Sequence, residues 1–333
     1  MDLVTLWFCV IAFLWTGFFV LEGFDFGVGI LARTMGRDDA ERRQILATIG
    51  PVWDADEMWL VMGGIAIFAA FPGWYATAFS AAYIPLLLLI AGIIVRGIAV
   101  EYRSKRAGLR WRAAWDNVML ASSALLPLLV GIFWSGMVHG LPLDSSGQFD
   151  GPSLLSFVHP YTLLGGVTML SFAIAQGATF VSLKTSGAVA DRADRVAVPA
   201  TLVTALLMGA FGTWTWASYS RGDSGALLAA LGGAVALLIA AVAHRRGHAL
   251  AAFALNSLGV LSYVASMFIA LYPNAIPTTS AGGQALTLDA AAASQTSLQI
   301  ITVVACVGLP LVIGYQAWSF WVFRRRITAA PAE

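Results

Sequence analysis

Runs of about 20 apolar residues, broken by short polar stretches, recur from one end of the chain to the other, and a helix of that length spans a bilayer core of about 30 Å. Read between charges and Pro/Gly clusters, the pattern predicts nine membrane-spanning helices near 3–31, 54–71, 76–99, 117–139, 160–183, 197–219, 225–243, 249–271 and 297–323. The second is unusual because it opens on acids, and the seventh is a bland Ala/Leu/Gly run. The longest non-helical pieces are predicted at 139–160 and 272–297, both rich in Gly, Pro, Ser and Thr. With no long linker between them, the segments read as a single all-α, polytopic membrane domain over 1–333.

Composition agrees with the pattern. The 333 residues are 59% hydrophobic and only 11% charged, with a mean hydropathy of +0.79, which excludes an ordinary soluble domain. The basic residues test the count independently, since Lys and Arg gather on cytoplasmic connections. Of 19, all but Arg96 and Arg221 fall after the first, third, fifth, seventh or ninth segment. That asymmetry predicts an N-terminus outside and a C-terminus in the cytoplasm. The start MDLVTLWFCV carries no basic region and no evident cleavage site, so it reads as a retained first helix.

Acids inside such a chain are costly and need a reason. The first segment is charge-free from Leu3 to Leu21 and then carries Glu22 and Asp25 in EGFDFGVG; the second rises from the same side with Asp54, Asp56 and Glu57 in GPVWDADEMWL. The third descends to RGIAVEYRSK, which brings Arg96 and Glu101 to that depth. Glu22 and Asp25 are i,i+3 and share a helix face, as do Asp54 and Glu57, whereas Asp56 is expected to point elsewhere. Gly23, Gly27 and Gly29 provide small surfaces on which another helix can approach. A buried carboxyl binds a proton or finds a cation such as Arg96, so the layer reads either as a proton relay or as a charge cluster that locks helices together.

Other chemistry is sparse. The histidines, His139, His159, His244 and His248, sit at predicted segment ends or in loops, where axial haem ligands are not expected. His244 and His248 are i,i+4, a metal-compatible spacing, yet beside two arginines they read as solvated loop residues. No metal site is expected, and no phosphate-binding or dinucleotide fingerprint appears. Cys9 and Cys306 read as small packing residues without a disulfide. Trp53, beside Asp54, reads as an interfacial anchor, with contact to a bound quinone as the sharper alternative.

The segments GFDFGVG, GPVWDADEMWL, FAAFPGWYATAFSAAY and RGIAVEYRSK, followed by AQGATF (175–180), IPTTS (276–280) and LTLDAAAASQTSL (286–298), occur in the order seen in subunit II of cytochrome bd quinol oxidases, and the chain resembles that family over nearly its whole length. The likeness is weakest from about 185 to 250, and Asp56 stands where the family often has Asn. The resemblance implies a multi-pass protein of the bacterial cytoplasmic membrane, part of a terminal oxidase that oxidises quinol, reduces dioxygen to water and generates proton motive force. It implies a partner, subunit I, holding two b-type haems and one d-type haem, with small accessory subunits allowed. This chain would bind no haem, would support assembly, and would sit among membrane lipids with no nucleic-acid partner. On that basis Glu22, Asp25, Asp54 and Glu57 are candidates for proton uptake, Arg96 for their charge partner, and Trp53 for contact with a structural quinone. A proton- or sodium-coupled secondary transporter and a purely structural scaffold for a haem subunit remain open alternatives at this stage.

Overall fold

The computed structural model describes residues 2–328. Within them the chain runs through α1 (Leu3–Met35), α2 (Asp39–Leu46), α3 (Trp53–Ala70), α4 (Pro72–Ala81), α5 (Tyr83–Tyr102), α6 (Leu109–His139), α7 (Pro160–Lys184), α8 (Ala188–Tyr219), α9 (Ser224–Arg245) and α10 (Ala249–Leu271). A short antiparallel pair, β1 (Asn274–Ile276) and β2 (Leu286–Thr287), then leads to α11 (Leu288–Ala291) and α12 (Gln295–Val322). Each of the nine predicted segments forms a long helix. Eight of these are long and apolar enough to cross a membrane; the ninth, α3, is set apart by its three acids.

The boundaries differ where hydropathy and hydrogen bonding part company. The third segment does not begin near 76: α4 ends, the chain bends at Ala82, and α5 starts at Tyr83. Pro85 has no N–H to give the carbonyl four residues back, so a continuous helix would leave the Ala81 carbonyl unpaired; Ser153 Oγ donates to it instead, at 2.6 Å. Helices α6 and α8 begin earlier than the apolar runs at 117 and 197, because a helix continues past the apolar stretch that hydropathy detects.

Helix α1 runs through the middle of the bundle, in contact with α3, α6, α7 and α10, while α6 to α10 pack neighbour on neighbour. Gly27 decides how closely α1 and α7 approach: a Cβ there would lie 1.9 Å from the Ala173 carbonyl oxygen, and one at Gly177 would lie 2.5 Å from Gly27 Cα. Helix α5 leans on α6, and α12 touches only α3 and α1 among the longer contacts. Cys9 and Cys306, expected in the packing, are both exposed and free; Cys306 follows from α12, in which only Leu298, Gln316 and Ser319 are buried.

The two ends of the bundle are distinct. At one end the connections after α6 and α10 are knitted together, with Leu141 N–H donating to the Pro277 carbonyl and Thr279 N–H to Leu141, both at 3.0 Å. The other end collects the arginines and is tied by ion pairs. Arg103 reaches Asp116 at 2.5 Å and Asp39 at 2.9 Å, Arg112 reaches Asp39 at 2.6 Å, and Arg42 reaches Asp116 at 3.2 Å. These contacts pin the short amphipathic α2 beneath α5 and α6.

Candidate functional site

Acids of α1 and α3 are buried inside the bundle, toward the arginine-rich end. Helix α1 contributes Glu22 and Asp25, the first turns of α3 contribute Asp56 and Glu57, and α5 contributes Arg96. Glu22, Asp25, Asp56 and Arg96 are each 1% exposed or less, and Glu57 is half-buried. Arg96 Nη1 stands 2.5 Å from Glu22 Oε1, and its guanidinium lies 4.9 Å from the Phe26 ring centroid. Asp25 and Asp56 are both buried, on helices α1 and α3 that pack against each other. Asp56 Oδ1 accepts a hydrogen bond from Gln316 Nε2 of α12.

Several buried polar atoms have no partner within the described residues: both oxygens of Asp25, Asp56 Oδ2, Glu22 Oε2, Glu57 Oε1, and Arg96 Nε and Nη2. One guanidinium among four carboxyls, with that many open donors and acceptors in a low-dielectric interior, is a costly arrangement for structure alone. Such a group of carboxyls can hold and exchange protons.

The glycines of α1 shape the cluster. A Cβ on Gly23 would come within 2.8 Å of Gln176 Oε1 and one on Gly29 within 2.2 Å of Ser123 Oγ, so polar side chains from α7 and α6 press against α1 on either side of the acids. Gly27, between them, lets the α7 backbone approach.

Not every expected residue joins the cluster. Asp54 is exposed, whereas Asp56, expected to point elsewhere, is buried beside Asp25. The inward face of α3 is Asp56, Trp59, Gly63, Ala66, Ile67 and Ala70, and that small and aromatic stripe, traced backward, ends on Asp56 rather than Asp54. The stripe was readable in the sequence; pairing acids by i,i+3 spacing alone picked the wrong face. Gln316 was also missed, although it is the long amide in the otherwise apolar run of α12. Trp53 is half-buried, its ring 3.6 Å from where a Gly97 Cβ would stand.

The histidines lie elsewhere. His139 and His159 stack with centroids 4.3 Å apart at the end opposite the arginines, and His139 Nδ1 is 2.9 Å from the Tyr219 hydroxyl. His244, expected in a solvated loop, is buried in the last turn of α9, with Nε2 2.9 Å from Asp194 Oδ1; α8 supplies the acid that draws it in. His248 is exposed. No cluster of three or more His, Cys, Asp or Glu suited to a metal ion occurs among the described residues. An apolar groove of about 370 Å³ between α3, α4, α5 and α6 is lined by residues such as Trp15, Phe68, Tyr75 and Phe133, without His, Met, Cys or Trp53.

Known proteins match this chain over almost all of its length. The sequence model of the family described as cytochrome bd terminal oxidase subunit II matches residues 3–323. Cytochrome bd ubiquinol oxidase subunit 2 of Bacillus subtilis (strain 168) is 35% identical over 326 residues, covering 97% of this chain and 96% of that protein. Cytochrome bd-I ubiquinol oxidase subunit 2 of Escherichia coli (strain K12) is 31% identical over 363 residues, with 98% and 96% covered. A chain in the structure of bd oxidase from Geobacillus thermodenitrificans superposes with a TM-score of 0.77 over 97% of this chain and 99% of that one, at 16% identity, a likeness of fold.

Proposed function

The chain belongs to the cytochrome bd terminal oxidase subunit II family, and we propose that within that oxidase its buried carboxyl cluster takes up the protons consumed when dioxygen is reduced to water. Family membership makes it a multi-pass component of a respiratory oxidoreductase complex in the bacterial cytoplasmic membrane, and sets aside the reading as a secondary transporter. The family also implies subunit I as partner, quinol and dioxygen as substrates, and haem in the complex.

The observation that carries the proposal is the burial of Asp25 and Asp56 on two packed helices, each with an oxygen or oxygens left unpaired. Carboxyls buried together in a dry site cannot all stay ionised and so bind protons, and a proton held between two helices can be passed on. Arg96 acts on Glu22, whose charge it balances, and so leaves Asp25 and Asp56 as the exchanging pair. Glu57, half-buried, connects this pair toward the outside of the chain, and Asp54, on the exposed flank of the same helix, is the entrance. The concentration of Lys and Arg at the near end of the bundle supports placing that entrance on the cytoplasmic side.

The haems belong, on this reading, to the partner subunit. Haem iron needs axial His, Met, Cys or Tyr in an apolar pocket, and the donor set here does not fit: His139 and His159 stack on each other, His244 is bonded to Asp194, and the apolar groove offers no His, Met or Cys, while its Tyr75 is stacked on Phe79. Trp53, half-buried with its ring packed near Gly97, does not line the groove, and no step is assigned to it. Haem in the complex would carry electrons from quinol to dioxygen, and this chain's own residues would supply protons and helix packing to the assembly.

Oxygen consumption by the purified complex carrying Asp56→Asn tests the reading. Slowed turnover with an intact haem spectrum supports proton uptake, full turnover rejects it, and loss of haem together with activity supports a purely structural role for the cluster.

A further inference from the structure

Helix α12 is the least embedded long helix of the bundle, and its burial is oddly placed. Of its 28 residues only Leu298, Gln316 and Ser319 are buried, while Val303, Leu311 and Trp318 are among the large side chains it turns outward. A half-buried stripe of Ile301, Ala305, Leu309 and Val312 turns one face of α12 to the core, and one turn further on that face buries a primary amide. Burying an amide is unfavourable unless it is hydrogen-bonded, and the Gln316 amide is bonded to one group, Asp56 Oδ1.

Separate attachments hold that face inward. Near the start of α12, Trp7 Nε1 donates to Thr302 Oγ1 at 2.9 Å. One turn past Gln316, Phe320 meets the Phe24 ring edge-on at 6.1 Å. The segment after the helix is strapped across the end of the bundle: Ile327 N–H donates to the Lys184 carbonyl at 2.7 Å, Gln44 Nε2 donates to the Ile327 carbonyl at 3.0 Å, and Lys184 Nζ donates to the carbonyls of Phe323 and Arg325. Helix α7, the α1–α3 core and α2 all take part in fixing one glutamine.

We propose that Gln316 is a positioning residue for Asp56, mounted on α12 and its strap, and that it selects which oxygen of Asp56 exchanges the proton; this rests on the proton-uptake reading above. An amide N–H only donates, so Oδ1 is held as an acceptor. The proton that Asp56 gains and gives up therefore sits on Oδ2, which has no other partner. Asp25, with neither oxygen engaged, has no such bias. One carboxyl of the pair is oriented by a donor and the other is not, an arrangement suited to a handover between them. No bond other than O–H is made or broken.

The test uses the whole oxidase complex, purified with quinol as reductant, carrying Gln316→Met, which keeps the length of the side chain and removes the donor. Asp56→Asn identifies the infrared carboxyl band of Asp56 by its disappearance. With haem content and the KM for quinol unchanged, Gln316→Met is expected to move that band, to shift the pH profile of turnover by about one pH unit, the scale of one hydrogen bond to a carboxylate, and to lower kcat several-fold. Gln316→Glu, of the same size, is expected to move the same readouts and stands in if the Met variant does not assemble. An unmoved band and profile, in a complex where Asp56→Asn does slow turnover, overturns the positioning role and leaves the proton route standing. Wild-type turnover in Asp56→Asn overturns both.

Discussion

Arg96 Nη1 meets Glu22 Oε1 at 2.5 Å with both side chains out of reach of water, so each neutralises the other where neither would be tolerated alone. Removing one partner of such a pair leaves a buried uncompensated charge, at a cost of about 3–5 kcal/mol, whereas removing both can be nearly neutral. Arg96→Leu is expected to reduce the yield of haem-loaded complex sharply, and the double variant with Glu22→Gln to recover much of it. Absorbance of the purified complex per unit of protein reads this directly.

The two aspartates of α3 separate the route from its entrance. Asp56 is buried and Asp54 exposed, so Asp56→Asn should slow oxygen reduction far more than Asp54→Asn, on the order of tenfold or more against two- to threefold. Side-by-side oxygen-electrode rates at saturating quinol, normalised to haem, give the ranking. Equal effects would mean that the exposed carboxyl is as deep in the pathway as the buried one.

Backbone proximity at Gly27 leaves no room for a methyl group. A Cβ 1.9 Å from the Ala173 oxygen must push α1 and α7 apart, and overpacking of this kind costs about 1–3 kcal/mol or more. Gly27→Ala should lower the thermal midpoint of the detergent-solubilised complex by several degrees. Gly209→Ala, with nothing within 4 Å of its added carbon, should not lower it, because alanine is the better helix former.

At the arginine-rich end, Glu41 of α2 is paired with Arg192. Its burial alone would raise the carboxyl, but the Arg192 guanidinium and the Arg37 backbone N–H outweigh that and hold it below its ordinary value of 4.5. A carboxylate lowered in the folded state contributes stability that is fully present above its unfolded value and is lost as the pH falls through the folded one. The stability difference between the native chain and Glu41→Gln should therefore be constant above about pH 5 and shrink toward zero below it. Thermal unfolding of the complex across pH 3 to 7 follows this difference.

Which parts of this were legible in the sequence depends on how local the signal is. The long helices could be read because lipid selects for length and hydropathy, both local properties. The break at Ala82 could have been read from Pro85, but the acceptor it frees is taken by Ser153, which is far away in sequence. The acids of the cluster were visible as charges in an apolar chain, and Glu22, Asp25 and Glu57 do come together. Asp56 displaced Asp54 because the face of a helix is set by all its packing residues, from Trp59 to Ala70, and not by the spacing of two charges. Gln316 lies 260 residues from its partner, and His244 is drawn into the bundle by Asp194 of another helix. Neither partnership leaves a mark in a single sequence.

The central claim is that protons enter through the buried carboxyls of Asp25 and Asp56. Proteoliposomes containing the complex, oriented with the arginine-rich end facing an external pH-sensitive dye, should take up protons from that side when oxygen is delivered to the quinol-reduced enzyme. In Asp25→Asn the uptake is expected to slow by roughly tenfold or more with the haem bands unchanged. Uptake at the wild-type rate in that variant, in a complex with intact haem, would contradict the account.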